Sequence, residues 1–161
     1  MQKQGEALIQ ASNISQSFKV GEETIDVLKN VSFEMAHNSF NVIYGASGSG
    51  KSTILNIITG LQKPTQGNIT FKDQDIYKLK ADDLARFRAS RIGIIYQQNF
   101  WVSSLNVLEN VALPLYFLGY NKSLAKDMAM ISLERIDMQS YAKKYPTLMS
   151  GGEQQRVAVA R

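Results

Sequence analysis

The chain has 161 residues, 44% of them hydrophobic, which suits one globular domain or one domain with a small subdomain. Its 18 Lys and Arg against 14 Asp and Glu leave a net charge of +4, yet the basic residues are scattered and no run of five like charges occurs, which argues against nucleic acid as a partner. Cysteine is absent, excluding disulfides and thiolate metal sites; the opening MQKQGEALIQ lacks the apolar core of a secretion signal, and apolar stretches such as Val111 to Leu118 fall short of the roughly 20 residues that cross a bilayer.

Leu8 to Phe18 and Val27 to Met35 carry short β-type patterns separated by Gly21-Glu22-Glu23-Thr24, and predict an antiparallel hairpin or meander. Asn38-Ser39 turns the chain into Asn41-Val42-Ile43-Tyr44, an apolar run that reads as a buried strand. Directly after it, Gly45-Ala46-Ser47-Gly48-Ser49-Gly50-Lys51-Ser52 fits the phosphate-loop pattern G-x-x-x-x-G-K-[ST], and Thr53 to Thr59 predicts a helix ending at Gly60. Gly45, Gly48 and Gly50 allow backbone conformations in which successive amides turn inward around an anion. The helix beginning there directs its positive end to the same place. Lys51 offers a mobile point charge for terminal phosphates, and Ser52 a hydroxyl for a magnesium ion. An accidental glycine-rich turn would not need a strand before it and a helix after it. The loop leaves open kinases, GTPases and transport ATPases.

Beyond Gly60, Gln62 to Gly67 is a connection, Asn68 to Phe71 a strand, and Lys72 to Asp75 its turn. Asp82 and Asp83 open a helix whose last turn holds Arg86, Arg88 and Arg91, the charge order that a helix dipole favours. Ile92-Gly93-Ile94-Ile95-Tyr96 predicts a second buried strand, ending at Gln97-Gln98, so that strand, helix and strand make a parallel α/β core. Asn106 with Glu109 spells a capping box, and Pro114 predicts a kink or interruption in the helix it starts. Ser123 is read as the cap of a further helix to about Met138, with Leu124, Met128, Ile131 and Leu133 on one face and the methionines as core filler.

Near the end stands Leu148-Met149-Ser150-Gly151-Gly152-Glu153-Gln154-Gln155-Arg156, in which Ser150 and Glu153 spell a second capping box before the apolar positions Val157, Ala158 and Ala160. Paired glycines in a first helical turn cost roughly 0.5 to 1 kcal/mol each relative to alanine. They make sense where something approaches the backbone closely, and an exposed helix start with a serine hydroxyl suits an anion.

With the phosphate loop, this stretch resembles the ATP-binding cassette (ABC) ATPases, whose signature is usually written LSGGQ; here Met149 stands for the Leu and Glu153 for the Gln. The resemblance covers essentially the whole chain. It implies an α/β P-loop NTPase core with an antiparallel β subdomain and a helical subdomain, divided as residues 1–97 and 98–161, with C-terminal strands missing. It implies ATP and Mg²⁺ as cofactors, with Gly45, Ala46, Ser47, Gly48, Ser49, Gly50, Lys51, Ser52 and Thr53 on the phosphates and Ser52 on the metal. Gln97 matches the family's Q-loop glutamine, a magnesium and water contact that relays to the membrane subunit. Phe18 stands where the family stacks an aromatic on adenine; the plainer reading is a core Phe at a strand end.

In that family two cassettes face each other, so Ser150, Gly151 and Gly152 would meet the phosphate held by Lys51 of the opposite subunit. The implied partners are a membrane permease subunit and a second ABC ATPase subunit, and the implied place is cytoplasmic, on the inner face of the cell membrane. EETIDVLKNVSF, RIGIIYQQ and NVLENVALPL look most like the subgroup serving lipoprotein release, macrolide or peptide export, and cell-division permeases. The family's apolar strand with a magnesium-binding Asp and catalytic Glu has no match, and His37, the single histidine, precedes the phosphate loop. The expectation is a truncated cassette that hydrolyses ATP feebly; the alternative is a non-catalytic nucleotide-binding protein that pairs with or regulates a complete cassette. The stretch Asn99 to Ser104, with Phe100 and Trp101, reads equally as a dock for a permease helix or as ordinary aromatic packing.

Overall fold

A computed structural model describes residues 7–98 and 100–161; the first residues of the N-terminal stretch, 1–6, and Asn99 lie outside the described residues. The chain divides into two units, Met1–Arg88 and Ala89–Arg161, each with its own core.

In the first unit, β1 (Ala7–Val20) and β2 (Glu23–Ala36) form the expected antiparallel hairpin, turning at Gly21 with φ 65°. The strand β3 (Gln66–Phe71) pairs antiparallel with β1, and β4 (Gln74–Asp75) with β3, giving the order β2-β1-β3-β4. The register of β1 shifts around Asn13, whose φ is 53°, as an extra residue bulges from the ladder. Gly67 faces this bulge: a Cβ there would lie 2.5 Å from the carbonyl oxygens of Ser12 and Asn13, so only glycine lets the strands close. Alternation along β1 buries Ala11, Ile14 and Gln16, and Ile14 joins Ile57 and Ile69 beneath the sheet.

That core receives α1 (Lys51–Ile58) through Ile54, Ile57 and Ile58. The far end of α1 is tied down. The Tyr77 hydroxyl donates to the carbonyls of Ile57 and Gln62, and Arg88 Nη1 donates to the Gly60 carbonyl at 3.0 Å. Arg88 lies on α2 (Ala81–Arg91), which carries Asp82 and Asp83 in its first turn as the charge order predicts.

The second unit gathers α3 (Val107–Phe117), α4 (Lys122–Glu134) and α5 (Gly151–Ala160) around Val107, Val111, Ala112, Ala125, Ala129, Leu133, Met138 and Val157. Three features of these helices differ from the sequence reading. The cap of α4 is Asn121, which accepts from the Leu124 amide at 2.9 Å, and not Ser123. Its buried stripe is Ala125, Ala129 and Leu133, leaving Leu124 and Ile131 at 44% and 49% exposure, because small residues at four-residue spacing allow close helix approach. Pro114 lies inside α3 without interrupting it, since packing of Val107, Val111 and Ala112 holds the helix across the one missing amide bond.

Neither predicted buried strand is one. Asn41 to Tyr44 and Ile92 to Tyr96 lie outside the four-stranded sheet, which is the sole sheet among the described residues. Val42, Tyr44 and Ile95 are 66%, 91% and 55% exposed. An apolar run becomes a buried strand only when neighbours occupy both its hydrogen-bonding edges, and these runs have no ladder partner here.

Candidate functional site

The phosphate-loop residues all lie in the first unit. Residues 44–49 are exposed, and Gly48 and Gly50 take φ 78° and 86°, in the left-handed region where glycine is at home. Gly50 is the N-cap of α1, which has no side-chain cap. A Cβ on Gly50 would stand 2.8 Å from Leu28 Cδ2 and 3.1 Å from Val27 Cγ1, so the loop lies tight against β2. Lys51 Nζ donates to the Gly45 and Ala46 carbonyls at 3.0 and 2.7 Å, folding its charge back over the loop's own backbone. Ser52 is exposed in the first turn of α1 and Thr53 half-buried behind it. Phe18 pairs with Ile25 across the hairpin, two residues from the Val27 that touches the loop, and its ring is 39% exposed, so it is not the core Phe of the plainer reading.

Gln97 and the Ser150 turn lie in the second unit. Ser150 caps α5: its Oγ accepts from the Glu153 amide, while Glu153 Oε2 accepts from the Ser150 amide at 2.7 Å and from its hydroxyl at 2.9 Å. The other carboxylate oxygen accepts from the Tyr141 hydroxyl at 2.6 Å. This bond first, with the two from Ser150, draws the Glu153 carboxyl down to about 2, and the same bond raises the Tyr141 phenol above its ordinary value. The exposed Gly151 and Gly152 have open space where a Cβ would stand, so any molecule meeting this helix start meets bare backbone.

The same helix touches the segment after Gln97. Gln155 Nε2 donates to the Gln97 carbonyl at 3.4 Å and Arg161 Nη1 to the Phe100 carbonyl at 2.6 Å. Trp101 packs on the helical core and donates its indole N–H to Gln154 Oε1 at 2.9 Å, which favours packing over docking for this ring. Buried Asn110 fixes the following loop: its Oδ1 accepts from the Val102 amide at 2.9 Å and its Nδ2 donates to the Val102, Leu105 and Asn106 carbonyls. Sequence reading missed Asn110, Tyr141, Gln154 and Arg161; the second Asn of NVLENVALPL, set among apolar residues, was the one available signal.

A glycine-lined loop that opens an uncapped helix with a lysine at its first position, accompanied by a serine-capped Gly-Gly helix start, now meets a direct comparison: the ABC transporter family model matches residues 28–161. The chain belongs to the ABC transporter family. The ABC protein "Lipoprotein-releasing system ATP-binding protein LolD" of Buchnera aphidicola is 38% identical over 154 residues, which are 96% of this chain and 68% of that protein. "Uncharacterized ABC transporter ATP-binding protein YknY" of Bacillus subtilis is also 38% identical, over 96% of this chain and 67% of its own length. Among solved structures, the dimeric structure of MJ0796, a bacterial ABC transporter cassette, superposes with TM-score 0.86 at 39% identity, covering 94% of this chain and 67% of that one. The same cassette in a post-hydrolysis state bound to ADP and Pi gives TM-score 0.86 at 38% identity. The chain thus spans about two thirds of the length of the ABC proteins it matches. It shares their cassette fold, an antiparallel sheet combined with helices.

Proposed function

We propose that this chain is the ATP-binding subunit of a transporter that couples ATP binding and hydrolysis to export or release through a membrane permease, with lipoproteins, lipids or peptides as cargo. The observation that carries the reading is the exposed loop at Gly45–Gly50, whose left-handed Gly48 and Gly50 lead into an α1 with no side-chain cap and with the Lys51 ammonium at its first position. On nucleotide arrival, Lys51 exchanges its two backbone carbonyls for phosphate oxygens, replacing charge-to-dipole hydrogen bonds with bonds between opposite charges. Phe18, exposed on the hairpin end that abuts the loop, stacks on the base.

Among the described residues no group of three His, Cys, Asp or Glu gathers to hold a metal, so the Mg²⁺ of this reading is held mainly by the phosphates, with two uncharged side chains besides. Ser52 and Gln97 are its protein ligands in this reading, and the ion supplies charge neutralisation between terminal phosphates. Ser150, Gly151 and Gly152 close over the phosphate bound by a second cassette, as the dimeric relative suggests. No helix among the described residues is long and apolar enough to cross a membrane, in keeping with a subunit that sits peripherally on a permease at the inner membrane face. The 161 residues contain no apolar run followed by Asp-Glu to polarise an attacking water, so by themselves they turn ATP over feebly.

Calorimetry with MgATP tests the reading. Lys51→Ala is expected to weaken binding roughly 10- to 100-fold, the worth of a charged hydrogen bond or two. Equal affinity in both proteins would sink it. Steady-state phosphate release at an ordinary rate, abolished by Lys51→Ala, would overturn the expectation of feeble turnover.

A further inference from the structure

We propose that Gln154 is a positioning residue that couples the segment carrying Gln97 to the peptide that carries Ser150. The inference deepens the nucleotide reading above and depends on it. Trp101, the single tryptophan of the chain, donates its indole N–H to Gln154 Oε1 at 2.9 Å, and Gln154 Nε2 donates to the Met149 carbonyl at 3.1 Å. An indole N–H only donates and a backbone carbonyl only accepts, so just one orientation of the Gln154 amide serves both. The amide is planar, and a turn imposed on its oxygen end is delivered to its nitrogen end. There it meets the Met149–Ser150 peptide, whose own N–H is bonded to Glu153 Oε2 at 2.7 Å.

The Trp101 end is held on its other sides as well. The Arg161 guanidinium lies 5.5 Å from the ring centroid and donates to the Phe100 carbonyl at 2.6 Å. Gln155 reaches the Gln97 carbonyl from the next position of α5. Beneath the helix, Val157 and Met149 are buried at 0% and 7% exposure, anchoring it so that displacement passes along the polar relay and is not absorbed by rolling of α5. A metal or phosphate drawing Gln97 would therefore reorient the serine offered to the second cassette.

Trp101 reports directly on this relay, since its emission responds to the partner of its N–H. MgATP is expected to change Trp101 emission, and Gln154→Leu to cut that change at least about fivefold, with affinity for a fluorescent ATP analogue held within about twofold. The turnover of the chain, however low, should show kcat down about tenfold at unchanged KM, with Trp101→Phe giving the same loss and the double variant no further one. Gln154→Glu keeps an acceptor for the indole but has no donor for Met149, so it should restore the resting emission while kcat stays low. Unaltered kcat in Gln154→Leu, or losses that multiply in the double variant, would overturn the proposal while the nucleotide reading stands. Absence of MgATP affinity in the unsubstituted protein would instead remove both.

Discussion

Helix α1 begins at a left-handed Gly50 with no side-chain cap, whereas α5 begins at Ser150 inside a complete capping box braced by Tyr141. Both starts expose backbone and both belong to the proposed nucleotide site, yet one satisfies its first amides from its own side chains and the other waits for an external anion. A self-capped start needs no ligand to hold it. An uncapped one gains stability from an anion that fills it, so under the proposed function the first unit's stability is linked to nucleotide more strongly than the second's.

The largest expected effect follows directly. MgATP at a hundredfold excess over its Kd should stabilise the unit containing α1 by about 2.7 kcal/mol, read by hydrogen exchange, with protection larger at residues 45–60 than at α5. Uniform protection of both helix starts would break the comparison. Next comes Gly50→Ala, which forces a Cβ to 2.8 Å from Leu28 Cδ2 at a φ of 86°. It should cost about 2 kcal/mol in denaturant unfolding, split between left-handed strain and side-chain displacement. Ser150→Ala is smaller, about 1 kcal/mol or roughly 3 °C in Tm, and Ser150→Gly should recover most of it, since glycine caps nearly as well.

The smallest effect is in pH. The Glu153 carboxyl titrates at about 2, below its ordinary 4.5, because it accepts from Tyr141 and Ser150. A depressed acid stabilises the fold above the unfolded value and loses that contribution as pH falls toward the folded one. Glu153→Gln should therefore lower the urea midpoint near pH 7 and flatten its fall between about pH 4.5 and about pH 2, the two proteins converging at the acid end. A fall of equal slope in the variant would place the acid sensitivity elsewhere.

What could be read from the sequence was set by distance along the chain. Both capping boxes and the hairpin turn at Gly21 join residues a few positions apart, and each stands where its pattern puts it. The Tyr141–Glu153 and Trp101–Gln154 bonds span 12 and 53 residues, and no local pattern encodes them. Asn121 displaced Ser123 as a cap because either residue type can serve and tertiary packing of Ala125 and Ala129 selected the frame. The apolar runs at Asn41 and Ile92 predict burial from composition alone, but burial is a property of neighbours, and these runs join no sheet and lie largely exposed.

The clamp at the far end of α1 has a mechanical corollary. With Tyr77 gripping the Ile57 and Gln62 carbonyls and Arg88 the Gly60 carbonyl, the last turn cannot fray. Burial pushes the Tyr77 phenol well above its ordinary 10.0, so the grip keeps its proton across the whole physiological range. The helix is then a rod pinned at its C-terminal end, so under the proposed function a pull on Lys51 by a phosphate would be borne by the strap around Tyr77 and by α2 and not spent on unwinding the last turn.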